Sequence, residues 1–176
     1  MGLSHTLPYR YFAHKEALLV AMRVDCTVRF ERFVREQEEV DAPLLQRIRS
    51  IAAAYVEFAR GNAAEYLLIF STHQPPPDRY PELLAARRGL FDHAVEVVAL
   101  CVQAGELHGE PRQIAHEFWI ALHGLMTLHV ANQLVHGRSL DELVEPLIDR
   151  MLGQAGTAPG QAATRPAPAA KSRSRR

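Results

Sequence analysis

An all-α fold is predicted by three features of the chain. Apolar residues recur at steps of three and four through most of its length. No stretch sustains the period-two alternation with β-branched enrichment that a strand requires, and prolines and glycines fall where helices would start and stop. With 176 residues, 48% of them apolar and 23% charged, the chain can bury about two thirds of its unfolded surface, so a compact soluble protein is expected. No run reaches the ~18 consecutive apolar residues of a membrane span, and no charged stretch followed by an apolar segment opens the chain. A cytoplasmic protein without a membrane partner is the expectation. Cys26 and Cys101 lie far apart, which signals neither a disulfide framework nor a zinc knuckle.

Leu18, Met22, Cys26, Phe30 and Phe33 place an apolar stripe on a first helix over residues 15–38, about 36 Å long and able to link two domains. Pro43 opens a second, striped by Leu44, Ile48, Ile51, Tyr55 and Phe58 and ending near Gly61. Residues 62–71 give a short third helix. Pro75-Pro76-Pro77 lacks three amide donors and cannot continue it, so the next helix starts near Pro81. Leu84, Phe91, Val95, Val98 and Val102 carry that helix to a left-handed cap at Gly105.

Pro111 opens a fifth helix that is predicted to stop at Gly137. Its segment from Phe118 to Ala131 is apolar on nearly every side, and such a helix must be covered on both faces. In a chain this small the second cover comes most economically from another subunit, so a homodimer is expected. Ser139 and Glu142 form an S-x-x-E capping box for the last helix, which Leu140, Val144, Leu147, Ile148 and Met151 stripe and Pro146 is expected to kink. Leu122, Leu125, Met126, His129, Val144, Leu147, Ile148 and Met151 are the interface candidates. From Gly153 onward Ala, Pro, Gly and Ser prevail, too little apolar area to offset ordering entropy, so residues 153–176 are expected to be a disordered tail.

The formal net charge is zero, but the charge is unevenly spread. Residues 1–36 carry six bases against four acids, residues 37–152 nine bases against sixteen acids, and residues 153–176 five bases and no acid. An acidic middle therefore masks two basic ends. In the first of them Ser4 can cap a short helix over residues 5–12 that exposes His5, Thr6, Tyr9 and Arg10, hydroxyls and cations suited to phosphates and base edges in a major groove. Lys15 adds a phosphate contact. Aromatic walls with a few polar groups are typical of small-molecule sites, and Tyr55, Phe58, Phe70, Phe91, Trp119 and His123 are the candidates to line one. His116-Glu117 begins like a zinc-protease H-E-x-x-H, but Ile120 stands where the second histidine would be, so no metal site is expected. No Ser/His/Asp, Cys/His or paired-carboxylate constellation and no Gly-rich phosphate loop calls for catalysis or a cofactor.

Gly2-Leu3-Ser4, Tyr9-Arg10-Tyr11-Phe12 and Lys15-Glu16-Ala17-Leu18 together resemble the recognition helix and following helix start of the tetracycline-repressor (TetR) family of bacterial regulators, with Pro8 and His14 as departures. Trp119-Ile120-Ala121-Leu122-His123-Gly124 resembles the W-x-x-x-H-G signature of the family's WHG-type C-terminal domain. The resemblance covers residues 2–152. It implies a helix-turn-helix joined by a long helix to a C-terminal bundle, whose last two long helices pair in a dimer and whose cavity binds a small effector. It also implies a double-stranded DNA operator as partner. Residues 1–36 would be a DNA-binding region and connector, residues 37–152 the effector-binding and dimerisation domain. The family carries further helices ahead of this motif, so the helix-turn-helix read from Met1 is a truncated one. The alternative expectation is accordingly a dimerisation module that binds ligand or related repressors without touching DNA.

Overall fold

The computed structural model describes residues 15–70, 73–76 and 78–157. They form six helices: α1 (Lys15–Gln37), α2 (Leu44–Gly61), α3 (Ala63–Ile69), α4 (Pro81–Gln103), α5 (Pro111–Val130) and α6 (Leu140–Ala155). Helix α2 lies at the centre, against α1, α3, α4, α5 and α6, while α1 also packs on α3 and α4, α4 on α5, and α5 on α6. No helix among the described residues is long and apolar enough to cross a membrane.

On α1 the buried face is rotated from the stripe read in the sequence. Val20, Arg23, Cys26, Thr27, Phe30 and Val34 point inward, whereas Met22 is 46% exposed. Two polar residues occupy inward positions because their polar atoms are satisfied there. Arg23 donates from Nε to the Leu68 carbonyl at 3.2 Å and from Nη2 to the His73 carbonyl at 2.9 Å, and Thr27 Oγ1 donates to the Arg23 carbonyl at 2.7 Å. A buried polar side chain is tolerated where such partners exist, and hydrophobic periodicity alone misses it. Around Phe30, which is fully buried, the ring of Phe58 stacks at 4.2 Å and Tyr55 packs at 5.1 Å.

The helix ends follow cap chemistry. Gly105 (φ +75°) closes α4, its N–H bonding the Val102 carbonyl and that of Glu106 the Cys101 carbonyl, a Schellman motif. Helix α5 ends at Val130, well before Gly137, by the same device on a different residue. Asn132 takes the left-handed conformation (φ 55°), with Asn132 N–H on the His129 carbonyl and Gln133 N–H on the Leu128 carbonyl. Asparagine is the residue besides glycine that does this readily. At its start α5 is capped by Glu110, whose carboxylate accepts from the N–H groups of Arg112 and Gln113 at 2.9 and 2.7 Å, with Pro111 at the first helical position. The Ser139–Glu142 capping box is present. Helix α6 runs through Gly153 to Ala155, where the tail was expected to begin. Buried Leu152 and a 2.6 Å hydrogen bond from His108 N–H to the Ala155 carbonyl hold that last turn. Residues 158–176, the rest of the expected tail, lie outside the described residues.

Candidate functional site

A cavity of about 470 Å³ opens between α1, α2, α4 and α5, within the size range of small-molecule sites. Each helix contributes one stripe. Thr27 and Val34 come from α1, Ile48, Ile51, Ala52 and Tyr55 from α2, and Arg87, Leu90, Phe91, Ala94 and Val98 from α4. Ala115, His116, Phe118, Trp119, Leu122 and His123 come from α5, and Ile69, Phe70 and Gln74 close the end where α3 stops. The wall is largely aliphatic and aromatic, with Phe91 6.2 Å and Phe70 6.5 Å from Trp119, and Trp119 stacked on His123 at 5.8 Å.

Of the six residues expected to line such a site, Tyr55, Phe70, Phe91, Trp119 and His123 do so. Phe58 does not: it is a core residue, buried face to face against Phe30. The sequence reading did not include Arg87, His93, Gln74 or His116. Arg87 could have been found from its place at helical spacing with Leu90, Phe91, Ala94 and Val98, a cation on an otherwise apolar stripe.

The polar groups of the wall fall in three places. Behind Trp119, Tyr66 Oη lies 2.7 Å from His123 Nδ1 and 3.1 Å from Tyr55 Oη. Burial pushes the Tyr66 phenol up to about 12 and that of Tyr55 further the same way, and lowers the imidazole of His123. The phenols therefore stay protonated and His123 stays neutral, accepting at Nδ1 from Tyr66. A histidine whose folded value is depressed contributes stability above the ordinary value of 6.5, and that stability is lost as pH falls through the folded value. Urea midpoints should accordingly fall in the native chain as pH is lowered from neutral through 6.5, and fall less in His123→Gln.

At the base of the cavity His93 is gripped from both sides. Its Nε2 donates to Glu38 at 2.6 Å and its Nδ1 accepts from Arg35 at 2.8 Å, which sets the tautomer. Glu38, its side chain 2% exposed, also accepts from Arg47 Nε and Nη2 at 2.9 and 2.7 Å. This cluster joins the end of α1, the start of α2 and the middle of α4. The third polar place is Arg87, whose guanidinium donates to Gln74, itself bonded to the Ile69 carbonyl at 2.9 Å. Burial, and then the charge of Arg23, hold Arg87 below the usual arginine value.

The expected interface divides in two. Leu122, Leu125, Met126 and Ile148 are buried within the chain's own core and have no surface left for a partner. Periodicity did not separate them from the outer face, because an all-apolar helix does not reveal which side its own chain covers. His129, Val144, Leu147 and Met151 are half-buried. Beside them Ile120 (64% exposed) and Leu128 (44%) form an outward apolar stripe on α5 through Gly124, and nothing lies within 4 Å of the position a Gly124 Cβ would take. Of the residues expected to meet DNA, Ser4, His5, Thr6, Tyr9 and Arg10 lie outside the described residues, and Lys15 is exposed at the first position of α1. Among the described residues no group of three or more histidine, cysteine or acidic side chains is gathered as a metal would need.

A family model described as tetracyclin repressor-like, C-terminal domain, matches residues 48–151, which includes all of α4 and α5 and most of α2 and α6. Among solved structures, a protein with unknown function from Rhodococcus sp. RHA1 is similar over 89% of this chain and 80% of its own, at 25% identity and TM-score 0.75. A bacterial regulatory protein in the tetR family from Rhodococcus RHA1 shares the fold over 88% of this chain and 80% of its own, at 17% identity and TM-score 0.71. No curated protein matches the chain in sequence.

Proposed function

Since this chain belongs to the tetracyclin repressor-like family, through a C-terminal domain that occupies residues 48–151, we propose that it is a DNA-binding transcriptional repressor relieved by a small molecule. It would work in the cytoplasm as a homodimer, without enzymatic activity. The observation that carries this reading is the cavity, because one of its walls is α1. The same helix supplies Thr27 and Val34 to the cavity and has at its N-terminal end Lys15, five residues after the segment Ser4 to Arg10 that resembles a recognition helix. An effector that binds one setting of α1 better than another shifts the population toward it. It thereby changes the separation of two recognition helices that must lie about 34 Å apart to enter successive major grooves. In this reading residues 1–36 form the reader and connector, residues 37–152 the sensing and dimerisation domain, and the residues after α6 a basic tail.

The WHG-type pattern fits both duties of α5. Trp119 and His123 stand on the cavity wall, and Gly124 stands on the outward stripe with Ile120 and Leu128. That stripe, continued by Val144, Leu147 and Met151 of α6, is the surface we place at the twofold axis. An aspartate at its centre would bury an unpaired charge in the dimer. Ile120→Asp should therefore weaken self-association by about a hundredfold or more, read by sedimentation equilibrium, with the far-UV dichroism of the subunit unchanged. A native chain that sediments as a monomer at all concentrations would refute the dimer.

The proposal as a whole is tested by a salt-graded gel shift on the DNA beside the protein's own gene, using the chain with any open frame that precedes Met1. A sequence-specific complex whose affinity falls steeply with salt is expected. Equal binding to that DNA and to random duplex would reject the reading.

A further inference from the structure

The charges along the cavity wall indicate which kind of molecule it takes. The lining contains Arg87 and the imidazoles of His93, His116 and His123, but no aspartate or glutamate. The other arginines of the described residues are accounted for. Arg47 grips Glu38, Arg29 meets Asp25 and Glu65, Arg112 meets Asp92, Arg32, Arg35, Arg49, Arg60, Arg79 and Arg138 each pair with a carboxylate, Arg23 donates to the Leu68 and His73 carbonyls, and Arg88 and Arg150 face water. Arg87 is different. It is half-buried against the apolar cavity, and among the described residues no carboxylate lies within 4.0 Å of it. Its guanidinium donates to the side-chain oxygen of Gln74, which uses little of a group with five N–H donors. A cation held away from water without a counter-charge is unfavourable, and a planar guanidinium is matched by a carboxylate through two parallel hydrogen bonds.

We propose that the effector is a hydrophobic monocarboxylate, its head on Arg87 and its apolar body between Phe70, Phe91 and Trp119. This rests on the reading of the cavity as the effector site. A single negative charge suits the head, because Tyr55, Tyr66 and His123 are neutral and the guanidinium of Arg23 is already held by backbone carbonyls. Burial of Arg87 and the nearby charge of Arg23 both disfavour its charged form, a cost that an anion at this position removes. The seat also has a consequence for signalling. Arg23 belongs to α1, so a carboxylate brought to Arg87 also attracts the helix that leads to the recognition segment.

Trp119 is the chain's single tryptophan and reports occupancy directly. Its fluorescence is to be titrated in the full-length chain with phenylbutyrate and with phenylbutyramide, which has the same shape without the charge. The acid should bind about tenfold or more tightly than the amide. Arg87→Met, which keeps the apolar stem, should abolish that preference by weakening the acid, and Arg87→Lys should restore part of it. The acid–amide comparison in the native chain needs no variant, so it decides even if a variant does not fold. Equal binding of acid and amide overturns the carboxylate and leaves the cavity as an effector site. Absence of Trp119 quenching by either compound overturns both.

Discussion

Glu38→Ala is expected to lower the stability of the fold by about 3–5 kcal/mol, the cost typical of removing one partner from a buried charged cluster. The carboxylate is the common acceptor for Arg47, through two donors, and for His93. Without it the Arg47 guanidinium and the His93 N–H remain in place with nothing to bond, and Arg35 is left beside a ring that has lost its anchor. In a chain of this size the loss corresponds to a fall of about 10 °C in Tm. Glu38→Gln keeps an acceptor at the same place and should lose less. The contrast is Glu145→Ala: Glu145 is mostly exposed and pairs with Arg49 at 3.4 Å, an arrangement worth about 0–1 kcal/mol. Thermal and urea unfolding of the three variants would decide it, and a Glu38→Ala protein as stable as Glu145→Ala would show that the cluster does not hold α1, α2 and α4 together.

The second large effect concerns α1 itself. Phe30→Ala removes a fully buried ring stacked on Phe58 and packed against Tyr55 and Phe70, for an expected loss of about 3–5 kcal/mol. Met22→Ala, two steps away in the stripe that periodicity suggests, should cost no more than about 0.5 kcal/mol, because Met22 is on the surface. Equal losses at the two positions would mean that the helix is rotated from the face described here. Hydrogen exchange would add where the loss is felt, with α1 and α2 losing protection before α6.

The six helices of the described residues and most of their starts could be read from the chain because they depend on local chemistry. Pro43, Pro81 and Pro111 stand at or beside helix starts, the Ser139–Glu142 box closes on itself, and Gly105 adopts the positive φ that only glycine takes freely. What was not legible depends on partners and conformations that periodicity does not show. The inward faces of α1 and α4 contain Arg23, Thr27 and His93; Arg23 and His93 find their partners on other elements, and Thr27 bonds the Arg23 carbonyl one turn back on α1. Helix α5 ends at Val130, closed by left-handed Asn132 rather than by Gly137, since a left-handed asparagine gives no apolar signal. Five of the six residues expected to line a cavity do line one, because side chains at helical spacing on α2, α4 and α5 converge there. Phe58 does not, and core and cavity wall look alike until Phe30 is seen covering it. The inward half of the expected dimer face lies in the chain's own core for a related reason: Leu122, Leu125 and Met126 are apolar whichever side their own chain covers.

The link between the cavity and DNA is tested most directly by measuring the affinity of the native protein for its specific duplex with and without a small molecule whose binding quenches Trp119. A saturating amount of such a compound should weaken the specific complex by about tenfold or more, within the range of allosteric couplings, and leave binding to random duplex unchanged. Compounds that saturate Trp119 while the specific affinity stays the same would contradict a repressor controlled through α1.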